Sequence, residues 1–228
     1  MVIQSLLQLS PGTFLIFYHQ NLSKTSSKKA DDRAFSFILG VEIGVAVFFL
    51  LTYIIINFFI TKHNFLNSTF FYVMSGIFWT EAIFSFFFYF RPQKLKTTKK
   101  SNGSTQLFIP RFLAVKLLHQ ACYTKNRSDA IILGIISTAL ELIFTLPLYI
   151  IASISIFIIS PNTGFVFMIA YIIIATIPLF VIRTLYRTDH NLAEIQRARV
   201  RRKFITKTII SGCFTSLAII TLIIGVNL

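Results

Sequence analysis

Three glutamates lie inside long apolar stretches of the sequence, where a carboxyl group is costly to place. They are Glu42, Glu81 and Glu141, one in each of the first three stretches. Each is about nine to twelve residues from a charged border, which at about 1.5 Å per helical residue predicts a depth of roughly 14–18 Å. A charged side chain near the middle of a bilayer costs about 2.5–3.5 kcal/mol, so intramembrane acids commonly mark functional positions.

Polar side chains accompany two of these glutamates at the spacing of a helix. Glu81, Ser85 and Tyr89 recur every four residues and therefore share one helix face. The third stretch carries a longer polar stripe, which consists of Ser137, Thr138, Glu141, Thr145 and Tyr149. Together with Glu42, these two groups form the predicted intramembrane polar site.

The apolar stretches contain no Lys or Arg that could neutralise the three carboxyl groups. The glutamates must therefore be protonated, hydrogen-bonded to a hydroxyl, hydrated in a cavity or bound to a cation. In one interpretation, protonated glutamates join helices by hydrogen bonds worth about 0.6–2 kcal/mol each. In the other, they line a proton or cation pathway or a solute-binding cavity at the midplane. The residue types alone leave both interpretations open.

Five stretches are long and apolar enough to hold these side chains within a membrane, since a spanning helix needs about 20 mostly apolar residues. They cover residues 35–60, 65–90, 130–159, 165–182 and 209–226. The chain is 55% hydrophobic, which excludes a disordered protein. We therefore predict an all-α, polytopic membrane helix bundle with five transmembrane helices and additional amphipathic helices in the cytoplasm.

The N-terminal stretch, residues 2–18, is shorter and is interrupted by polar residues and by the pair Pro11-Gly12. We interpret it as a segment that lies in the membrane interface. A sixth, short span is the alternative. In the first of the five long stretches, Ser36, Gly40 and Gly44 recur every four residues. Small residues at this spacing allow close helix packing in membranes.

The basic residues predict how the bundle is oriented. The chain has 22 Lys and Arg against 8 Asp and Glu. All of the 22 except Lys62 lie in three segments, residues 24–33, 91–127 and 183–207. Because cytoplasmic loops concentrate Lys and Arg, these segments are predicted to face the cytoplasm. With five spans, the C-terminus then lies outside.

Two cytoplasmic segments have the pattern of basic helices. Residues 110–123 have apolar residues on one face and basic residues elsewhere, which is typical of a helix on the membrane surface. Residues 189–203 begin with acidic residues and end in the basic cluster Arg197, Arg199, Arg201, Arg202 and Lys203. We expect this cluster to dock anionic lipids or a partner protein. No motif for nucleic-acid binding accompanies it.

These features divide the chain into consecutive segments. An interfacial segment and a basic stretch cover residues 1–34, and the first transmembrane hairpin covers 35–90. A basic cytoplasmic loop with an amphipathic helix covers 91–129, followed by a second hairpin over 130–182. A basic cytoplasmic helix covers 183–208, and the last transmembrane helix covers 209–228.

The sequence contains no arrangement of residues that would support catalysis. The 4 histidines are scattered without metal-ligand spacing, and neither of the 2 cysteines has a second thiol nearby. Phosphate-binding, dinucleotide-binding and nucleophile-elbow motifs are missing. We therefore expect no enzymatic activity, no cofactor and no metal.

The first functional hypothesis is a non-enzymatic, multipass membrane subunit. It would form a homo-oligomer, or a complex with a cytoplasmic protein that docks on its basic face. The alternative is a small transporter or channel whose pathway is lined by the intramembrane glutamates. The expected location is a plasma membrane, by default a bacterial inner membrane.

Overall fold

The computed structural model describes residues 27–63, 66–88, 120, 124, 126–159, 164–187 and 203–227. Its long elements are five α-helices: α1 Ser27–His63, α2 Ser68–Phe88, α3 Arg127–Ile159, α4 Gly164–Arg187 and α5 Lys203–Asn227. No strand occurs among these residues. The predicted all-α helical bundle is therefore confirmed.

Four of the helices are each long and apolar enough to cross a membrane, namely α1, α2, α4 and α5. The fifth, α3, meets the same test when its two halves are counted as one span. The bundle is thus compatible with an integral membrane protein.

Local sequence explains where the helices begin. α1 starts well before the predicted apolar boundary because Lys28, Lys29 and Ala30 all favour helix. α2 is capped by Asn67, whose Oδ1 accepts a hydrogen bond from the Phe70 N–H at 3.0 Å. At the start of α3, Asp129 Oδ2 accepts the Asn126 N–H at 3.3 Å, which is one half of a capping box.

α3 is bent by 81° between its segments Arg127–Leu142 and Phe144–Ile158. Pro147 explains the position of the bend, because a proline lacks the N–H that would bond to the carbonyl four residues earlier, and its ring collides with that carbonyl. The carbonyl concerned belongs to Ile143, the residue between the two segments. Hydropathy alone did not predict the bend, because it does not register a missing N–H.

α1 and α3 run in the same direction, and α4 runs against them. Gly40 of α1 lies against Ile131 of α3, and Gly44, one turn further, lies against Thr138. A second packing partner of α1 is α4, whose residues Tyr171 to Arg183 contact it in the reverse order. A core of side chains from these three helices is almost completely buried, including Phe37, Ile38, Val41, Val45, Phe49, Leu133, Tyr149, Tyr171 and Leu179.

α2 and α5 form an antiparallel pair. Ser75 Oγ donates a hydrogen bond to the carbonyl of Ala218 at 2.9 Å, and Ser211 Oγ donates to the carbonyl of Ala82 at 3.0 Å. A second core fills their interface and includes Met74, Phe78, Ala82, Phe214 and Ala218 together with Leu148 of α3. The second segment of α3, Phe144–Ile158, therefore contacts both the core of α1, α3 and α4 and the α2–α5 pair.

These directions collect the basic residues of the described helices at one end of the bundle. We call it the basic end: α1, α3 and α5 begin there and α4 finishes there. It carries Lys28, Lys29, Arg33, Arg127, Arg183, Arg187, Lys203 and Lys207, whereas Lys62 lies near the opposite end. The predicted clustering of basic segments on one side is compatible with this arrangement of the helices.

Several predicted features lie outside the described residues. They are the interfacial segment or sixth span at 2–18, Tyr89, the amphipathic helix at 110–123 apart from Gln120, and Arg197, Arg199, Arg201 and Arg202.

Candidate functional site

The position of α3 is set by direct contact between its backbone and that of α1. A Cβ atom added to Gly40 would overlap the backbone carbonyl of Ile131, and one added to Gly134 would overlap the carbonyl of Phe37. A Cβ on Gly44 would lie 2.9 Å from the Cβ of Thr138. Only glycine leaves room for such close helix packing.

Two hydroxyls donate to helix backbones: that of Thr138, from the predicted polar site, and that of Ser36, from the predicted packing residues. Thr138 Oγ1 donates to the carbonyl of Gly134 at 3.1 Å and also lies 3.5 Å from the carbonyl of Val41 on α1. Ser36 Oγ donates to the carbonyl of Asp32 at 2.9 Å, one turn earlier in α1. Both hydroxyls are therefore used by helix backbones.

α3 carries a longer row of buried polar side chains than the sequence analysis singled out. Ser137, Glu141, Thr145, Tyr149 and Ser153 follow one another at intervals of four residues, and we call them the polar file. Their exposed fractions are 0%, 2%, 1%, 0% and 0%. Ser153 was missed, although the same four-residue spacing would have found it. The bend at Ile143 falls between Glu141 and Thr145.

Three hydroxyls of the polar file are buried without a hydrogen-bond partner among the described residues: Ser137 Oγ, Thr145 Oγ1 and Ser153 Oγ. This is unusual, because a serine or threonine in a membrane helix can bond to the carbonyl four residues earlier. Ser155, two residues after Ser153, does so at 2.8 Å. A buried polar group left unsatisfied costs about 1–3 kcal/mol, so these hydroxyls are disposed to bind something else.

The glutamates occupy different surroundings. Glu141 is buried in the polar file, next to Leu140 and Leu142, which pack on the core shared by α1, α3 and α4. Glu81 is 8% exposed and belongs to the α2–α5 pair. Within the described part of the chain, its Oε2 has no hydrogen-bond partner.

Glu42 is half-buried on α1, so it is less enclosed than the other two glutamates. Ser85 shares the buried face of Glu81, but its hydroxyl donates to the carbonyl of Ala82 at 2.9 Å. Glu42 and Glu141 thus belong to the group of α1, α3 and α4, whereas Glu81 belongs to the α2–α5 pair. Of the three glutamates, Glu141 alone lies within the polar file.

An aromatic cluster includes Tyr149 of the polar file. Its members are Phe49 of α1, Tyr149 of α3 and Tyr171 of α4. The ring centroids of Phe49 and Tyr171 are 4.5 Å apart, and Tyr149 lies 5.5 Å from the first and 6.0 Å from the second. Tyr171 Oη is buried and has no hydrogen-bond partner among the described residues. Sequence reasoning missed Tyr171, whose only signal was a hydroxyl in the apolar run of α4.

Ion pairs join the helices at the basic end. Arg183 Nε and Nη2 donate to the two carboxylate oxygens of Asp31 at 2.8 and 2.9 Å, and its guanidinium lies 4.7 Å from the ring centroid of Phe35. Arg127 Nη2 donates to Asp32 Oδ2. The sequence analysis did not predict these ion pairs, because the spacing of charged residues along the chain does not indicate which helices are neighbours.

The described residues contain no group of three or more His, Cys, Asp or Glu side chains that could hold a metal ion. Of the predicted docking cluster, Lys203 alone falls within them, as the first residue of α5.

Comparison with known proteins gives no matching family model, no matching curated protein and no matching solved structure. The class of protein is therefore described from the fold alone. The chain is a bundle of α-helices, four or five of which are long and apolar enough to span a membrane.

Proposed function

We propose that this protein is a non-enzymatic integral membrane protein whose polar file provides a pathway for protons or small cations. The observation that carries the proposal is the row of five buried polar side chains in α3, three of whose hydroxyls have no partner among the described residues. Such a row is costly in a membrane unless it binds water, protons or cations for part of the time.

The competing interpretation is that these groups only hold helices together. Thr138 fits that role, since its hydroxyl bonds to the carbonyl of Gly134 and lies 3.5 Å from that of Val41. Ser137, Thr145 and Ser153 do not fit it, because a hydroxyl that joins helices must donate to something. The polar file therefore supports a pathway rather than a role limited to helix–helix association.

The bend in α3 supports the same proposal. Pro147 leaves the carbonyl of Ile143 without its helical N–H donor, at a point between Glu141 and Thr145. Irregular backbone at membrane depth is tolerated where it is enclosed by protein or lines a hydrated cavity. A carbonyl at this position adds an acceptor to the row of side-chain oxygens.

The residues of the file have distinct roles in this proposal. Glu141 is the one carboxyl group of the file and binds the proton or cation near the midplane. Ser137 passes it towards the basic end, and Thr145, Tyr149 and Ser153 pass it towards the opposite end. Tyr171 contributes a further hydroxyl from α4.

The test is proton flux into proteoliposomes, driven by a potassium diffusion potential and followed with a pH-sensitive dye. Glu141→Gln keeps the shape of the side chain but cannot ionise, so we expect flux to fall by about tenfold or more. Thr80→Val is the control, because Thr80 is exposed on α2 and its hydroxyl bonds to the carbonyl of Ile77 at 2.7 Å. Undiminished flux in Glu141→Gln would refute the pathway.

A second candidate function rests on the basic end. Eight basic residues of the described helices collect there, and this favours docking of anionic lipids or of a cytoplasmic partner by a membrane subunit, as a homo-oligomer or in a complex. By the positive-inside rule this end faces the cytoplasm of a plasma membrane, by default a bacterial inner membrane.

Deletion of residues 197–203 tests this second function. The deletion should weaken binding to anionic nanodiscs, or to a co-purifying soluble protein, while the rest of the bundle stays folded. Equal binding with and without the segment would exclude it as the docking surface.

A further inference from the structure

The ion pair between Asp31 and Arg183 connects the start of α1 to the last turns of α4. Two parallel hydrogen bonds, at 2.8 and 2.9 Å, give it the bidentate geometry in which arginine binds a carboxylate most specifically. The two side chains are 22% and 29% exposed for Arg183 and Asp31 respectively, so the pair is partly shielded from water. The ring of Phe35 beneath the guanidinium adds a cation–π contact.

The neighbouring ion pair connects α1 to α3 and is more exposed. Asp32 follows Asp31 directly and therefore points about 100° further around the helix, where it meets Arg127. The side chains of Arg127 and Asp32 are 70% and 38% exposed. Loss of this pair leaves α1 and α3 in direct backbone contact through Gly40 and Gly134.

α4 also packs against α1. It packs on α1 far less extensively than α3 does, through side chains such as Tyr171 and Leu179. The bidentate Asp31–Arg183 pair is one of the contacts that hold the basic end of α4 in place. The packing of α4 on α1 is therefore easier to loosen than the packing of α3 on α1.

α4 also contains a point at which it can bend. Pro178 lies inside the helix and supplies no N–H for a helical hydrogen bond, which weakens the helix just before its final segment. That segment carries Leu179 and, one turn further, Arg183. Leu179 is completely buried in the core with Phe37 and Ile38.

The closed layer around Leu179 lies between the basic end and the polar file. Ser137, the first residue of the file, is ten residues into α3 from Arg127, or about 15 Å along the helix. Between Ser137 and the basic end, the bundle is filled by the almost fully buried side chains of Leu179, Phe37 and Leu133. Displacement of Leu179 would open a way from the basic end to Ser137.

We infer that the Asp31–Arg183 pair is a latch that closes the polar file at the basic end, and that α4 opens it by bending at Pro178. This inference rests on the proposed pathway, since it describes how one mouth of that pathway is closed. Breaking the latch frees the final segment of α4 and draws Leu179 out of the layer above Ser137.

The test measures access to the file rather than flux. In a chain whose native Cys122 and Cys213 are replaced by alanine, Ser137→Cys places a thiol at the near end of the file, and Ser153→Cys places one at the far end. The protein is reconstituted in nanodiscs and labelled with a charged, membrane-impermeant thiol reagent. Arg183→Gln should speed the labelling of Ser137→Cys about fivefold, as expected for the loss of a partly exposed ion pair.

Three matched variants separate a latch from general loosening. Labelling of Ser153→Cys should not change in the Arg183→Gln background. Arg127→Gln breaks the other ion pair and should leave Ser137→Cys as slow as before. The charge exchange Asp31→Arg with Arg183→Asp should restore slow labelling, because it rebuilds the pair in reverse.

Unchanged labelling of Ser137→Cys in Arg183→Gln, or an equal increase at Ser153→Cys, would overturn the latch. The proposed pathway fails by a different result, which is normal proton flux in Glu141→Gln. A faster Ser137→Cys reaction together with normal flux would therefore support the latch and reject the pathway.

Discussion

At the scale of single residues, Ser153 and Ser155 show how differently two serines of the same helix can be placed. They lie two residues apart on α3. Ser155 is exposed and bonds to the carbonyl of Ile151 at 2.8 Å, whereas Ser153 is completely buried and has no partner among the described residues. Only the second arrangement leaves a free donor and acceptor inside the bundle.

This contrast gives a matched pair of variants. Ser153→Ala removes a relay hydroxyl and should lower proton flux about fivefold, while thermal stability stays the same or rises because an unsatisfied group is lost. Ser155→Ala should leave flux and stability unchanged. Equal flux in the two variants would show that Ser153 is not part of the pathway.

Tyr171 permits a second test at this scale. Tyr171→Phe keeps the ring that stacks on Phe49 at 4.5 Å but removes the buried hydroxyl. We expect lower flux and an unfolding temperature that is unchanged or higher, measured on the same purified protein. A fall in stability without a fall in flux would mean that the hydroxyl serves packing alone.

At the scale of the helices, glycines decide how closely α1 and α3 approach. Gly40→Ala and Gly134→Ala each force a methyl group into a neighbouring backbone carbonyl, so we expect each to cost about 1–3 kcal/mol of stability. Gly76→Ala and Gly212→Ala are the controls, because nothing lies within 4 Å of an added Cβ at either position. Those two should be neutral or slightly stabilising, since alanine favours helix.

Thermal unfolding in detergent distinguishes the two pairs of variants. If Gly40→Ala and Gly76→Ala unfold at the same temperature, the close contact between α1 and α3 is not what holds them together.

The bend of α3 is the second feature at this scale. Pro147→Ala restores the N–H donor to the carbonyl of Ile143 and should straighten the helix, with a gain of up to about 3 kcal/mol in local helix stability. The straighter helix should conduct less, because Glu141 and Thr145 change their relative placement. Leu146→Ala, at an exposed neighbouring position, is the control for both the unfolding temperature and the flux. Full flux in Pro147→Ala would contradict a role for the bend.

The sequence predicted the helices well and their partners poorly. Apolar runs longer than about 20 residues predict spanning helices because the membrane demands that length. The early start of α1 was not predicted, since helix propensity rather than hydropathy determines it beyond the membrane. The pairing of Asp31 with Arg183 and the stacking of Tyr171 on Phe49 depend on which helices are neighbours. No local pattern carries that information.

At the scale of the whole molecule, the alternating helix directions make a specific topology testable. With the basic end in the cytoplasm, the residues after α1 and after α5 face outside. In a bacterial inner membrane, an alkaline phosphatase fused after residue 228 should be active, and one fused after residue 100 should be inactive. The reverse result would invert the topology, and inactivity at both sites would mean that α3, α4 and α5 do not all span the membrane.

Proton flux measured on wild-type protein and Glu141→Gln in the same proteoliposome preparation tests the central claim most directly. The account predicts that wild type conducts well above protein-free vesicles, and that the variant falls by about tenfold or more although it folds and unfolds like wild type. Equal flux in the two proteins, or wild-type flux no greater than that of empty vesicles, would contradict the polar file as a pathway.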